Sequence, residues 1–126
     1  MKAQELMVGD WVEIQDTPKY YKVFGIDILA KGDACRLTFE DYVVETWCDR
    51  VKPIPLTEDI LKANGWEYDE IDYAWWCKGF TNIYKDKGGF HFYLDGIEIR
   101  LAHVHELQHA LRLCGLADVA NNLKIE

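Results

Sequence analysis

Long apolar runs, paired-cysteine motifs and a basic stripe are all missing from this sequence, and each absence removes a class of protein. No apolar run approaches the roughly 18 residues of a membrane span, and no apolar stretch with a small-residue cleavage site stands near the N-terminus. The expectation is a cytoplasmic protein without a membrane role. Cys35, Cys48, Cys77 and Cys114 are spaced too widely for a C-x-x-C metal or redox motif. In a reducing cytosol they read as small buried hydrophobes. The formal net charge is −8, with 22 acidic residues against 14 basic ones. By segment, about −3 falls on residues 1–56, about −5 on 57–99 and about zero on 100–126. None of these offers the Lys/Arg stripe that neutralises phosphates, so nucleic acid is disfavoured as the main ligand. An acidic surface suits a partner with a basic face, and it also keeps a protein soluble with no partner at all.

What is present is an ordinary globular balance, 49% apolar and 29% charged over 126 residues, with a high aromatic share of 13%. That length supports one domain with a proper core, or two small lobes acting as one compact unit, here divided as 1–56 and 57–126. In the first part, a Gly9-Asp10 turn precedes a strand in which Val12 and Ile14 face one way and Trp11 and Glu13 the other. A second strand over 20–29 is bent at Gly25, and a third places Cys35, Leu37 and Phe39 on one face. Residues 42–51 predict a fourth strand, closed off by Pro53 and Pro55. Short strands with close turns point to a small, strongly curled barrel. The segment V-G-D-W-V resembles the opening strand of SH3-like barrels, a likeness of fold that carries no function with it.

Leu56 to Gly65 predicts a short capped helix joining the two lobes. Thr57 is its N-cap, Glu58 and Asp59 fill the positive first turn, Leu56 and Leu61 form a hydrophobic staple, and Gly65 supplies the exit. Trp66 to Cys77 then interleaves acids with aromatics. It is either an acidic aromatic surface for a peptide or cation, or a loop leading into a strand whose aromatics cover the core. After a strand over 80–85, Asp95-Gly96 signals a two-residue hairpin. Counting outward from that turn pairs Leu94 with Ile97, Tyr93 with Glu98, Phe92 with Ile99, His91 with Arg100 and Phe90 with Leu101. The apolar face so formed needs a helix to cover it.

The helix beginning near His103 meets that need, with Val104, Leu107, Ala110, Leu111 and Cys114 on one arc and His105, His109 and Arg112 on the far side. It also carries His105-Glu106-x-x-His109, the H-E-x-x-H pattern of zinc hydrolases. Two imidazoles at i and i+4 share a helix face and can bind one Zn²⁺, with the glutamate as general base beside the bound water. The third ligand is the weak point. A metzincin would need glycine at 112 and histidine at 115, where this chain has Arg112 and Gly115. Beyond His109 the only carboxylates are Asp118 and Glu126. The sequence therefore assigns no catalytic residue, metal or cofactor; Glu106 with His105, His109 and zinc stands as the alternative.

The combination V-G-D-W-V, P-I-P-L-T-E-D-I-L-x-x-N-G and V-H-E-L-Q-H-A-L resembles a group of small uncharacterised proteins of gut anaerobic bacteria and their phages or mobile elements. The likeness covers Leu6 to Val12, Pro53 to Gly65 and Leu101 to Leu113. It implies an accessory protein of a phage or mobile element and brings no activity. Relatives often carry asparagine where this chain has His109, which implies that the H-E-x-x-H match is accidental. The combined expectation is an α+β protein: an N-terminal SH3-like β-barrel, then an antiparallel meander packed by a C-terminal helix. Its expected function is a non-enzymatic protein-binding or adaptor module, with Trp11, Tyr68, Trp75 and Trp76 as the candidate binding surface.

Overall fold

The computed structural model describes residues 5–17, 19–28, 35–39, 42–47, 50–69, 75–78, 81–94 and 97–125. The fold is α+β, with two antiparallel five-stranded sheets and three short helices among these residues. The chain divides into two units, Met1–Ile54 and Pro55–Glu126, each holding one of the sheets.

In the first unit, Asp10 is fully buried and its carboxylate accepts the Met7 N–H at 2.8 Å, setting the turn that launches β1 (Trp11–Ile14). The strands that follow are β2 (Tyr20–Ile28), β3 (Cys35–Phe39), β4 (Tyr42–Trp47) and β5 (Val51–Pro53), in the order β4-β3-β2-β1-β5. Alternation along β1 is as the sequence predicts, with Val12 and Ile14 buried and Trp11 and Glu13 half-buried. Val12, Ile14, Tyr21, Val23, Leu37, Phe39 and Val51, with Leu6, make the core.

Strand β2 serves two neighbours in turn. Tyr20 to Lys22 pair with β1, and Val23 to Ile28 pair with β3. The change of partner coincides with a register shift between Val23 and Gly25. A Cβ on Gly25 would stand 2.7 Å from Thr38 Oγ1, so the close approach of β3 requires glycine there. Phe24, the extra residue of the bulge, is 67% exposed.

Two features differ from the sequence reading. The fourth strand is not continuous: β4 ends at Trp47, and Val51 pairs with Ile14 of β1 as part of a separate β5. Among the described residues the sheet is also not closed into a barrel, because β4 and β5 remain its edges. β5 is only three residues long and ends in Pro53, which has no N–H to offer a further strand.

The second unit comprises α1 (Glu58–Ala63), β6 (Glu67–Asp69), β7 (Trp75–Lys78), β8 (Thr81–Asp86), β9 (Gly89–Leu94), β10 (Ile97–Leu101), α2 (Val104–Leu113) and α3 (Ala117–Asn121). Helix α1 begins as its sequence dictates. Thr57 Oγ1 accepts the Ile60 N–H at 3.3 Å, and the staple residues Leu56 and Leu61 are both buried. At the other end the Trp66 N–H reaches Leu61 O at 3.0 Å and the Gly65 N–H reaches Lys62 O at 3.1 Å, the two bonds of a Schellman stop. Asn64 then holds the C-terminal tail: its amide donates to Lys124 O at 2.7 Å, and its carbonyl accepts the Lys124 N–H at 2.6 Å.

The sheet runs β10-β9-β8-β7-β6. The β9–β10 pairing is the register counted from the sequence, from Leu94↔Ile97 to Phe90↔Leu101; the Asp95-Gly96 turn itself lies outside the described residues. Ile83, Phe90, Phe92 and Leu101 are buried, and α2 packs against β10.

The Gly25 contact yields a direct test. Gly25→Ala is expected to lower unfolding stability by about 1–3 kcal/mol through overpacking. Adding Thr38→Ala, which removes the clashing oxygen, should recover most of that loss in a denaturant titration of the double mutant.

Candidate functional site

The histidine-bearing helix α2 begins where β10 ends. His103 is its N-cap, in extended conformation at φ −133° and ψ 159°. Glu106, one turn in, bends back to that end. One oxygen, Oε1, accepts the His103 N–H at 2.9 Å and the Ala102 N–H at 3.1 Å, and lies 2.8 Å from His103 Nδ1. These are the contacts of a capping box, in which a third-position carboxylate satisfies backbone donors that the helix leaves open. The negative charge also complements the positive helix end.

His105 and His109 sit as neighbours, as their i, i+4 spacing requires, with ring centroids 5.5 Å apart and planes at 78°. The His105 ring also stacks on His103 at 5.6 Å. The orientation differs from the sequence reading, which placed His105 on the outer side of the helix. His105 is only 7% exposed, and Gln108 is fully buried. Gln108 is covered by the chain that follows the helix. The Leu116 N–H returns to Leu111 O at 2.8 Å through Gly115, whose φ of +77° glycine adopts without strain. Helix α3 then packs on α2, and Gln108 Nε2 donates to Ala120 O at 3.1 Å. Burial thus extends from the apolar arc of Val104, Leu107, Ala110 and Leu111 to His105 and Gln108, more than half of the helix circumference. Cys114, counted on the apolar arc, is half-buried, and His109 is likewise half-buried.

For metal chemistry, His105 and His109 offer two imidazoles, while the Glu106 carboxylate is directed to the helix N-terminus. Among the described residues, no group of three His, Cys, Asp or Glu side chains is arranged to hold a metal ion.

The nominated aromatic residues fall in both units. Trp11 is half-buried on β1, opposite Lys22. Tyr68 is 44% exposed on the edge strand β6. Trp75 and Trp76 are consecutive on β7 and occupy different rows of the sheet: Trp76 in the row Tyr68, Ile83, Phe92, Ile99, and Trp75 in the row Asp69, Tyr84, His91, Arg100. Their side chains are outside the described residues. Trp66, at the head of the acidic aromatic segment, belongs to the core, with Nε1 donating to Thr81 Oγ1 at 3.1 Å and Lys78 Nζ over its ring at 4.9 Å.

A second cluster was not found from the sequence. His91 was read as a cross-strand partner of Arg100. The register is right, but the Arg100 guanidinium donates to Gly88 O at 2.7 Å instead. The His91 ring lies between two carboxylates, with Nε2 3.0 Å from Asp86 Oδ1 and Nδ1 2.7 Å from Glu98 Oε1. Tyr93 hydrogen-bonds to Glu98, which holds the phenol above its usual range, and Tyr84 lies beside His91 at 6.2 Å between rings. The signal available in the sequence was the alternation of His91, Tyr93, Glu98 and Arg100 with apolar neighbours on β9 and β10. The missing piece was the register of β8.

If Glu106 serves the helix end, Glu106→Ala should lower stability by about 1 kcal/mol, and Glu106→Gln, which keeps an acceptor oxygen, should retain most of it. Urea unfolding midpoints of the two variants check this. No family model matches the chain, and neither does any curated protein or solved structure.

Proposed function

We propose that this protein is a non-enzymatic protein-binding or adaptor module, with a principal contact surface on the outer side of β1 and β2. The observation that carries the reading is a group of exposed apolar side chains there. Gly9 N–H donates to Val23 O at 2.8 Å and Val23 N–H to Asp10 O at 2.8 Å, which ties the Met7–Asp10 turn to β2 at the residue before Phe24. Val8 is 59% and Phe24 67% exposed, and Met7 beside them is also exposed. Tyr20, Lys22 and Phe24 alternate onto this side of β2, and Trp11 stands opposite Lys22. Leaving large apolar groups in water forgoes about 1.5–3 kcal/mol of burial for a residue such as Phe24, a loss that a partner's surface can recover.

The partner class that fits is protein. The net charge of −8 disfavours nucleic acid, and among the described residues no helix is long and apolar enough to cross a membrane. The resemblance to proteins of phages and mobile elements supports an accessory role in such an element.

The alternative, a small zinc-dependent hydrolase, rests on the adjacency of the His105 and His109 rings. Two measurements separate the readings. Affinity capture with quantitative mass spectrometry should recover a partner that is depleted at least several-fold when Val8 and Phe24 are both replaced by serine. A Glu67→Lys control should retain it. Metal analysis of tag-free protein is expected to find no zinc in the wild type or in His109→Asn. Near-stoichiometric zinc in the wild type, lost in the variant, would replace the binding reading with the hydrolase.

A further inference from the structure

The second sheet ends on one side at β10, and among the described residues no strand lies beyond it. The register shows which backbone groups face that open edge. A two-residue hairpin closes on a pair that exchanges both backbone bonds, and every second pair outward repeats the pattern. Counted from Leu94↔Ile97, the bonded pairs are Phe92↔Ile99 and Phe90↔Leu101. The adjoining hairpin agrees: counted from Asp86↔Gly89, the bonded pairs are Tyr84↔His91 and Asn82↔Tyr93, which leaves Phe90, Phe92 and Leu94 to serve β10. The N–H and C=O groups of Glu98 and Arg100 therefore point away from β9. Ala102, next in that row, has the same direction: its carbonyl accepts the N–H of Leu56, which belongs to no strand of this sheet, at 3.1 Å.

An open edge is a template for a further strand unless something blocks it. The opposite edge, β6, is three residues long, and a copy of itself laid antiparallel about Tyr68 would set Glu67 against Asp69, acid on acid. β10 differs. It has five residues, no proline and an unbroken register with β9. Laid antiparallel on its own copy about Ile99, it sets Glu98 opposite Arg100 on both sides of the centre, acid on base. These are the residues whose backbone groups face outward, so the register that matches charge also lets each Glu98–Arg100 pair exchange two backbone bonds. Centring the pair on Glu98 or Arg100 instead would set that residue against its own like charge. Both side chains are exposed. Glu98 bonds to Tyr93 and Arg100 to Gly88 O within the sheet, and a carboxylate with two oxygens and a guanidinium with five N–H groups have capacity left for a second partner.

We propose that β10 is a self-association edge, on which a second copy of this chain pairs its own β10 antiparallel about Ile99 and joins the two sheets into one. The two-fold axis stands perpendicular to the sheet at Ile99, so the charged faces of both copies lie on one side and the α2 helices on the other. The two Ile99 side chains, half-buried in a single copy, meet at the axis on the helical side.

The test is sedimentation equilibrium of the full chain from micromolar to millimolar concentration, with amide hydrogen exchange followed by NMR over the same range. The wild type should pass from monomer to dimer, and the Glu98 and Arg100 amides should gain protection as it does. Glu98→Arg and Arg100→Glu each set like charges opposite one another and should each weaken the dimer by at least about tenfold. Mixing these two variants, once circular dichroism shows each to be folded, makes every facing pair acid on base again and should restore association. The double exchange Glu98→Arg/Arg100→Glu should do the same in a single chain. A wild type that stays monomeric at millimolar concentration, a dimer that forms without added protection at Glu98 and Arg100, a dimer indifferent to either single exchange, or a mixture of folded variants that fails to associate would each overturn the proposal.

Discussion

The second unit depends on how much of α2 is buried. A helix laid on one sheet needs only a single apolar stripe, and Val104, Leu107 and Leu111 supply one against the hairpin face formed by Phe90, Phe92 and Leu101. Here α3 closes on a further side, and the helix is covered over more than half of its circumference. That cover requires polar groups at the margin to be satisfied internally, and Gln108, bonded to Ala120 O, shows how this is done. The same burial accounts for the H-E-x-x-H residues. Glu106 closes the helix N-terminus, and His105 is buried beside His103 and His109.

The parts of this architecture that were legible in the sequence are those governed by local rules. Asp95-Gly96 fixes a register because a two-residue turn leaves no freedom in counting outward, and all five β9–β10 pairs followed from it. Thr57, Leu56, Leu61 and Gly65 define α1 because capping is decided within a few residues. Gly25 marked the bulge in β2 because only a missing side chain admits Thr38 so closely.

What escaped the sequence reading depended on distant partners. Residues 42–51 show strand character throughout, and nothing local reveals that Val51 begins a separate strand paired with β1. His105 read as outward-facing because periodicity counts apolar residues, whereas the burial of Gln108 beside it comes with the turn into α3, which a helical wheel of α2 does not contain. His91 was paired correctly with Arg100 in register, yet its ring turns to Asp86 and Glu98, since side chains choose among all neighbours on a face and not only the one directly opposite.

The two units invite different uses of their surfaces. The first leaves Val8 and Phe24 in solvent beside a bulge, the surface on which the proposed binding role rests, while the second turns a charged face outward and buries His105 of its histidine-bearing helix. The claim on which this division rests is that α2 is architectural. The most direct measurement is the reactivity of individual histidines toward diethyl pyrocarbonate in the native protein, read by peptide mass spectrometry. The account predicts that His105 is protected while His109 reacts; equal and rapid modification of His105 and His109 would contradict it and return the pair to the surface as a site.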